Sequence, residues 1–183
     1  MKVVIVTDIY GLCASTDNLI SFLKRDVSEV VVIDPYQGKR YSFESEKEAY
    51  NVFVKKCGHE AYLRKAKELV TTIKPKLIIG FSAGANIAWR MSDCESVLCK
   101  QMLCFYPTQI RNHLDIKPNV LTEVIFPQAE ESFDVNGLSE KIQLLPNVTT
   151  QVSIYQHGFM NLTSKTYSEK ANKFGLDEIE KYL

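Results

Sequence analysis

A chain of 183 residues is long enough to bury a hydrophobic core and of a length typical of one domain. Its content of 45% hydrophobic and 24% charged residues is that of an ordinary soluble globular protein, and 22 basic and 22 acidic side chains give a formal net charge of zero. Because no long basic run or stripe is present, nucleic acid is not expected as a partner. No stretch approaches the ~18 apolar residues of a membrane span, so no membrane partner is expected either.

The N-terminal segment and the cysteines predict a cytoplasmic protein. The run Val3–Val6 is too short for the core of a signal peptide, and no cleavage site follows it. Cys94 and Cys99 have a C-x4-C spacing, but no second pair of Cys or His is placed to complete a zinc site. We therefore expect reduced thiols and neither a metal nor a cofactor. The cysteines, odd in number, are Cys13, Cys57, Cys94, Cys99 and Cys104.

The first part of the chain alternates apolar runs with helical patterns. Val3–Val6 and Glu29–Ile33 are typical of strands buried on both faces of a parallel sheet. Between them, Asp17 is predicted to cap a helix that buries Leu19, Ile20 and Leu23. Residues 37–44 are predicted to form a loop, and two helices broken at Gly58 follow. The second carries an apolar stripe formed by Leu63, Ala66, Val70 and Ile73.

The second part repeats the alternation and defines the fold class. Strands are predicted at residues 76–79, 101–105, 120–126 and 148–155, and helices at residues 85–91, 138–144 and 165–183. Strands that alternate with helices indicate an α/β protein with a mostly parallel sheet in a three-layer α/β/α sandwich. Since no repeat, low-complexity tract or linker interrupts the pattern, residues 1–183 are predicted to be a single domain. Ligands of such sheets bind outside the C-terminal ends of the strands.

The segment Gly80-Phe81-Ser82-Ala83-Gly84 joins a predicted strand directly to a predicted helix. G-x-S-x-G at such a junction is the pattern of a nucleophile elbow, in which the serine takes a strained conformation that exposes its hydroxyl. The two flanking glycines remove Cβ atoms that would collide as strand and helix close up. The N–H of Ala83, at the helix N-terminus, is then placed to stabilise an oxyanion.

A nucleophilic serine needs a base, usually a histidine that a carboxylate orients. Of the three histidines, His157 directly follows the last predicted strand and is the preferred base. His113 lies in the irregular segment 108–118 and is a weaker candidate, whereas His59 precedes the serine near a helix start. The acid is expected in the turn after the strand 120–126, where three carboxylates occur: Glu130, Glu131 and Asp134. The order Ser, acid, His is that of an α/β-hydrolase.

The turn after the first strand, Asp8-Ile9-Tyr10-Gly11, is expected to supply the second oxyanion donor. The backbone N–H of either Ile9 or Tyr10 is suitable. Asp8 would oppose the development of negative charge there unless it is paired, and a role in capping the turn is equally open.

These segments together resemble the dienelactone hydrolase family of α/β-hydrolases. The matching pieces are Thr7–Leu12, Asp34–Tyr36, the elbow at Gly80–Gly84 and His157–Phe159, and they span nearly the whole chain. The resemblance implies a minimal α/β-hydrolase fold without a cap domain, which begins at the third strand of larger relatives. It also implies that Ile9 and Ala83 donate the oxyanion-hole N–H groups.

The sequence departs from the family at two positions. The dienelactone enzymes use a cysteine where this chain has Ser82, so their substrate cannot be assumed for this chain. Their acid turn reads G-x-x-D, and the corresponding residues here are Gln128–Glu131. By that register the acid is Glu131, with Glu130 and Asp134 as alternates.

The sequence therefore predicts a serine hydrolase that cleaves an ester, thioester or lactone-type acyl bond of a small-molecule substrate. Without a cap, short loops must form the pocket, which favours a short acyl chain. Aromatic residues near strand ends are expected to line it: Tyr10, Tyr36, Tyr106 and Phe159. Lys39, Arg40 and Arg111 are candidates to bind a substrate carboxylate. A non-catalytic hydrolase-fold protein that binds a small molecule or anion is the alternative, and a flavodoxin-like nucleotide binder is disfavoured because no phosphate-binding glycine loop is present.

Overall fold

The computed structural model describes residues 1–183, in which helices and strands alternate along the chain. The strands are β1 (Lys2–Val6), β2 (Glu29–Ile33), β3 (Leu77–Phe81), β4 (Gln101–Phe105), β5 (Leu121–Phe126) and β6 (Val148–Val152). The helices are α1 (Ala14–Leu23), α2 (Glu46–Lys56), α3 (Gly58–Ile73), α4 (Ala83–Met91), α5 (Val135–Gln143) and α6 (Glu169–Glu180), with a short 3-10 helix at Ile110–Asn112.

The six strands form one sheet in the order β2-β1-β3-β4-β5-β6, and every neighbouring pair is parallel. Side chains alternate between its two faces. One face, with Val3 and Ile5, packs against α1 and α6, whereas the other, with Val4 and Val6, packs against the remaining helices. The predicted α/β class and the three layers are thus confirmed. The strand order reverses between β1 and β3, so the loops after these strands border the switch point where ligands of α/β sheets bind.

Several element boundaries differ from the predictions. Asp17 does not cap α1, which begins at Ala14 after Cys13; Asp17 lies within the first turn, where its carboxylate accepts two hydrogen bonds from Arg40 at 2.6 and 2.9 Å. Strand β6 ends at Val152, because its only neighbour, β5, ends at Phe126 before Pro127. The last helix begins only at Glu169, where the Ser168 hydroxyl accepts the Ala171 N–H at 3.1 Å.

Candidate active site

Ser82 occupies the turn between β3 and α4 with a backbone conformation that non-glycine residues rarely adopt, φ 49° and ψ −109°. Adjacent backbone leaves no room for side chains at the two flanking glycines. A Cβ at Gly84 would overlap the carbonyl oxygen of Val6 and lie 2.5 Å from that of Thr7. A Cβ at Gly80 would lie 2.5 Å from the Gly84 oxygen. The predicted steric role of the glycines in the elbow is confirmed.

The imidazole of His157 lies between a hydroxyl and a carboxylate. Ser82 Oγ is 2.9 Å from Nε2, and Glu130 Oε1 is 2.7 Å from Nδ1. The prediction of Glu131 as the partner of His157 is therefore wrong by one residue, and the alternate Glu130 occupies the position. The Glu131 side chain is exposed, as is that of Asp134, which precedes α5.

The conformation of the acid turn explains this correction. Glu130 and Phe133 form an isolated antiparallel bridge, and Glu131 and Ser132 form the tight turn that this bridge closes. Glu130 is thereby directed inward, with 13% of its side chain exposed, while Glu131 faces solvent. The Gln128 N–H donates to the Tyr155 carbonyl at 2.7 Å, which joins the acid turn to the loop that carries His157.

The other two histidines lie away from this cleft. His59 packs edge-on against Phe53 with ring centroids 5.1 Å apart, and burial lowers its pKa. His113 follows the 3-10 helix, and its carbonyl accepts the indole N–H of Trp89 at 2.9 Å. The ring that contacts His157 is Tyr106, edge-on with a centroid distance of 5.1 Å.

The turn after β1 leaves one backbone donor free in the cleft. The Tyr10 N–H donates to Asp8 Oδ1 at 2.9 Å, whereas the Ile9 N–H has no acceptor within the protein. Ile9 lines the same cleft as Ser82. Ala83 is the first residue of α4, and the N–H groups of a first helical turn have no intrahelical acceptor. The structure thus favours Ile9 over Tyr10 as the partner donor of Ala83.

The peptide that links Ile9 to Tyr10 is held at both ends. Tyr36 Oη donates to the Ile9 carbonyl at 2.5 Å, and at the other end of the peptide the Tyr10 N–H donates to Asp8 Oδ1. The preceding peptide is fixed as well, because the Asp8 carbonyl accepts the Gly11 N–H and the Thr7 hydroxyl, each at 3.2 Å. We call this hydrogen-bonded segment, residues 7–11, the oxyanion loop, after the role that the sequence predicts for it. Its geometry is set before any substrate binds.

Tyr36 and Phe159 do not line the cleft, contrary to prediction. Tyr36 is buried beneath the oxyanion loop, and Phe159 is fully buried between Tyr106 and Phe174. Burial raises the pKa of the Tyr36 hydroxyl, which therefore stays protonated as a donor. Of the four predicted aromatic residues, Tyr10 and Tyr106 do line the cleft.

Tyr36→Phe tests whether this hydroxyl positions the oxyanion loop. We expect kcat for ester hydrolysis to fall about tenfold with KM little changed, a smaller loss than the ~100-fold or more caused by deleting an oxyanion donor. The variant leaves the Ile9 carbonyl without its buried donor but removes no group from the cleft. Steady-state kinetics of purified variant and wild type provide the measurement, with thermal unfolding as the control for folding. An unchanged kcat in a folded variant would show that the loop holds its geometry without Tyr36.

The cleft around Ser82 amounts to about 310 Å³ with the solvent-open space at its mouth. Sequence reasoning did not anticipate three of its lining residues, Glu46, Asn161 and Ser164, since no local motif marks them. The full lining is Asp8, Ile9, Tyr10, Glu46, Ser82, Tyr106, His157, Gly158, Asn161 and Ser164.

The three predicted cationic candidates do not line this cleft. Arg40 is paired with Asp17, whereas Lys39 lies over the ring of Tyr41 and Arg111 over that of Phe133. Their side chains are therefore not placed to contact a carboxylate bound beside Ser82.

The sequence left open whether Asp8 borders the catalytic site or caps the turn after β1, and it does both. The residue is 9% exposed, and its carboxylate accepts the Tyr10 N–H through Oδ1 and the Asn161 amide N–H through Oδ2 at 2.6 Å. It thus caps the turn and also borders the cleft. Burial raises the pKa of Asp8, an effect that these two hydrogen bonds and the nearby His157 oppose.

No group of three or more His, Cys, Asp and Glu side chains is placed to hold a metal ion. None of the helices has the length and apolar character needed to cross a membrane.

The strand order and the elbow at Gly80–Gly84 are those of the α/β-hydrolase fold. The sequence model of the dienelactone hydrolase family matches residues 1–183, and the chain belongs to that family. It is 29% identical over 170 residues to the uncharacterised protein YczH of Bacillus subtilis, covering 87% of this chain and 80% of that protein.

Two solved structures illustrate the similarity of fold. A putative dienelactone hydrolase from Klebsiella pneumoniae superimposes with a TM-score of 0.76 at 16% identity, over 99% of this chain and 85% of that one. A Pyrococcus furiosus esterase gives 0.59 at 16% identity, over 100% of this chain and 81% of that one. Membership of a hydrolase family implies a small-molecule substrate.

Proposed function

We propose that this protein is a serine hydrolase that cleaves an ester, thioester or lactone-type acyl bond through an acyl-enzyme intermediate. One observation carries the proposal. His157 has Ser82 Oγ at 2.9 Å on one ring nitrogen and Glu130 Oε1 at 2.7 Å on the other. This is the arrangement in which an imidazole accepts the proton of a serine while a carboxylate holds the productive tautomer. The esterase among the structural neighbours agrees with this chemistry.

In the proposed reaction, Ser82 Oγ attacks the carbonyl carbon and its proton passes to His157 Nε2. The carbonyl oxygen becomes an oxyanion that accepts hydrogen bonds from the N–H groups of Ile9 and Ala83. When the tetrahedral intermediate collapses, the bond to the leaving group breaks and His157 returns the proton to that group. A water molecule, deprotonated by His157, then attacks the acyl-enzyme, and a second collapse releases the acid and restores Ser82.

The alternative of a non-catalytic binding protein gains no support from the site. A binding protein has no need of a carboxylate behind the histidine, nor of a serine held at φ 49°. The strained conformation of Ser82 costs stability, so it is expected to persist only where function requires it.

Labelling with a fluorophosphonate tests the assignment of Ser82. We expect stoichiometric labelling of the wild-type protein, detected by intact-mass spectrometry, because the reagent reacts only with an activated serine. Ser82→Ala should abolish the label. Ser92→Ala is the matched control, since Ser92 is buried at the other end of α4 and should have no effect on labelling. Absence of labelling in the wild type, or persistence in Ser82→Ala, contradicts the proposal.

A further inference from the structure

A second cleft, about 610 Å³ with the solvent-open space at its mouth, adjoins the catalytic cleft on the face of the sheet that α1 and α6 cover. The two clefts share three lining residues, Asp8, Tyr106 and Asn161. The hydrogen bond from Asn161 to Asp8, at 2.6 Å, lies in their common wall. The second cleft therefore lies directly beside the catalytic cleft, across the wall that these three residues form.

Of the 16 residues that line this second cleft, 9 are hydrophobic, so most of its lining is apolar. Its apolar surface comes from Ile5, Leu19, Phe81 and Leu176 of strands and helices and from Met160 of the loop after β6. The polar side chains at its wall include hydroxyls that already bond within the protein. Ser15 accepts the Leu162 N–H at 2.7 Å, and Thr16 donates to the Gly11 carbonyl at 3.0 Å. A hydrocarbon group placed here would be removed from water, which contributes ~0.8 kcal/mol per methylene.

The charges around both clefts are acidic. Neither lining includes a lysine or arginine, whereas the catalytic cleft includes Asp8 and Glu46. A carboxylate bound beside Ser82 would have no cation to pair with and two acidic groups nearby. An uncharged substrate avoids both penalties.

We propose that the substrate is an uncharged ester or thioester whose hydrocarbon part occupies the second cleft, and that carboxylate-bearing esters are poor substrates. This rests on the proposed function and identifies the substrate class of the same site. Binding of the acyl group in the second cleft would replace the expectation of a short acyl chain, whereas binding of the alcohol there would keep it. The hydrocarbon part belongs either to the acyl group or to the alcohol, and the two are separated by experiment.

Chain-length kinetics test the occupancy of the second cleft. One ester series lengthens the acyl group from acetyl to octanoyl, and the other lengthens the alcohol of an acetate ester. We expect kcat/KM to rise about fourfold per methylene in one of the two series until the cleft is filled. The series that rises identifies which part of the substrate the cleft binds. Flat or falling profiles in both series would overturn the proposal.

A matched pair of phenylalanine substitutions on α6 tests whether the chain-length dependence of kcat/KM arises from the second cleft. Asn172 lines the second cleft and its side-chain amide makes no hydrogen bond within the protein, whereas Lys170 is exposed on the same helix. Asn172→Phe should lower kcat/KM for the longest ester at least tenfold relative to acetate, and Lys170→Phe should not. Equal profiles for both variants would mean that the chain does not lie in this cleft.

Charge selectivity is tested with 4-nitrophenyl butanoate against the 4-nitrophenyl monoester of succinate, which differs in its terminal carboxylate. We expect kcat/KM to be at least tenfold lower for the succinate monoester. Glu46→Gln should narrow that difference, while Glu44→Gln, an exposed neighbour outside both clefts, should not. Equal rates for the two esters would overturn the charge argument.

Fluorophosphonate labelling separates failure of this inference from failure of the hydrolase proposal. A protein that labels at Ser82 but shows neither chain-length nor charge dependence is a serine hydrolase with a different substrate class. A protein that does not label is not a serine hydrolase at all.

Discussion

Glu130→Gln is expected to lower kcat for ester hydrolysis by about 1,000- to 10,000-fold, because loss of the carboxylate leaves the imidazole in the wrong tautomer to accept a serine proton. A neutral amide at this position can donate to Nδ1, which would place the proton of His157 on Nε2, facing Ser82. The bond concerned is the contact of 2.7 Å between Glu130 Oε1 and His157 Nδ1. Steady-state hydrolysis of a 4-nitrophenyl ester provides the measurement.

The adjacent residue is a stringent control. Glu131→Gln makes the same chemical change one position along the chain, at a side chain that faces solvent. We expect its kcat to stay within about twofold of wild type, as for a surface substitution without partners. If Glu131→Gln were the inactive variant and Glu130→Gln the active one, the acid turn would have the register that the family pattern indicates, and the pairing of Glu130 with His157 would be wrong.

Gly84→Ala is expected to lower the free energy of unfolding by about 3 kcal/mol, at the upper end of the usual cost of inserting a methylene into packed structure. The new Cβ would meet the carbonyl oxygens of Val6 and Thr7. Both belong to backbone at the end of β1, which cannot rotate away as a side chain would. Relief therefore requires α4 to move away from the sheet, which displaces Ser82 and the Ala83 N–H together. Urea unfolding measures the stability, and fluorophosphonate labelling, which should slow, measures the site.

Gly137 provides the matched glycine. It lies exposed within α5, and a Cβ there would meet only the carboxylate of Asp134, an exposed side chain at the helix start. Gly137→Ala should be neutral or stabilise the protein by up to about 1 kcal/mol through helix propensity. Equal stability of the two alanine variants would show that the close approach at the elbow is not a constraint.

The sequence by itself determined the layers of this protein and the position of its nucleophile. Continuous apolar runs such as Val3–Val6 identify strands buried on both faces, because both faces of a parallel sheet are covered by helices. Gly80 to Gly84 identifies the elbow because its constraint is local: the glycines and the serine all lie within one turn. The role of His157 could be predicted for a similar reason, since it follows a strand at the edge of the sheet where Ser82 lies.

Tertiary structure alone decided the identity of the acid and the role of Tyr36. The turn after β5 contains three carboxylates, and the one that faces His157 depends on the bridge between Glu130 and Phe133 and on the bond from Gln128 to Tyr155. Tyr36 likewise supports the oxyanion loop from a segment 27 residues away, where its hydroxyl meets the Ile9 carbonyl. Side-chain direction in an irregular turn follows from contacts with distant segments, and no local spacing encodes those contacts. Periodicity and turn patterns express constraints between near neighbours, so they locate elements and motifs but not which side chains meet across the cleft.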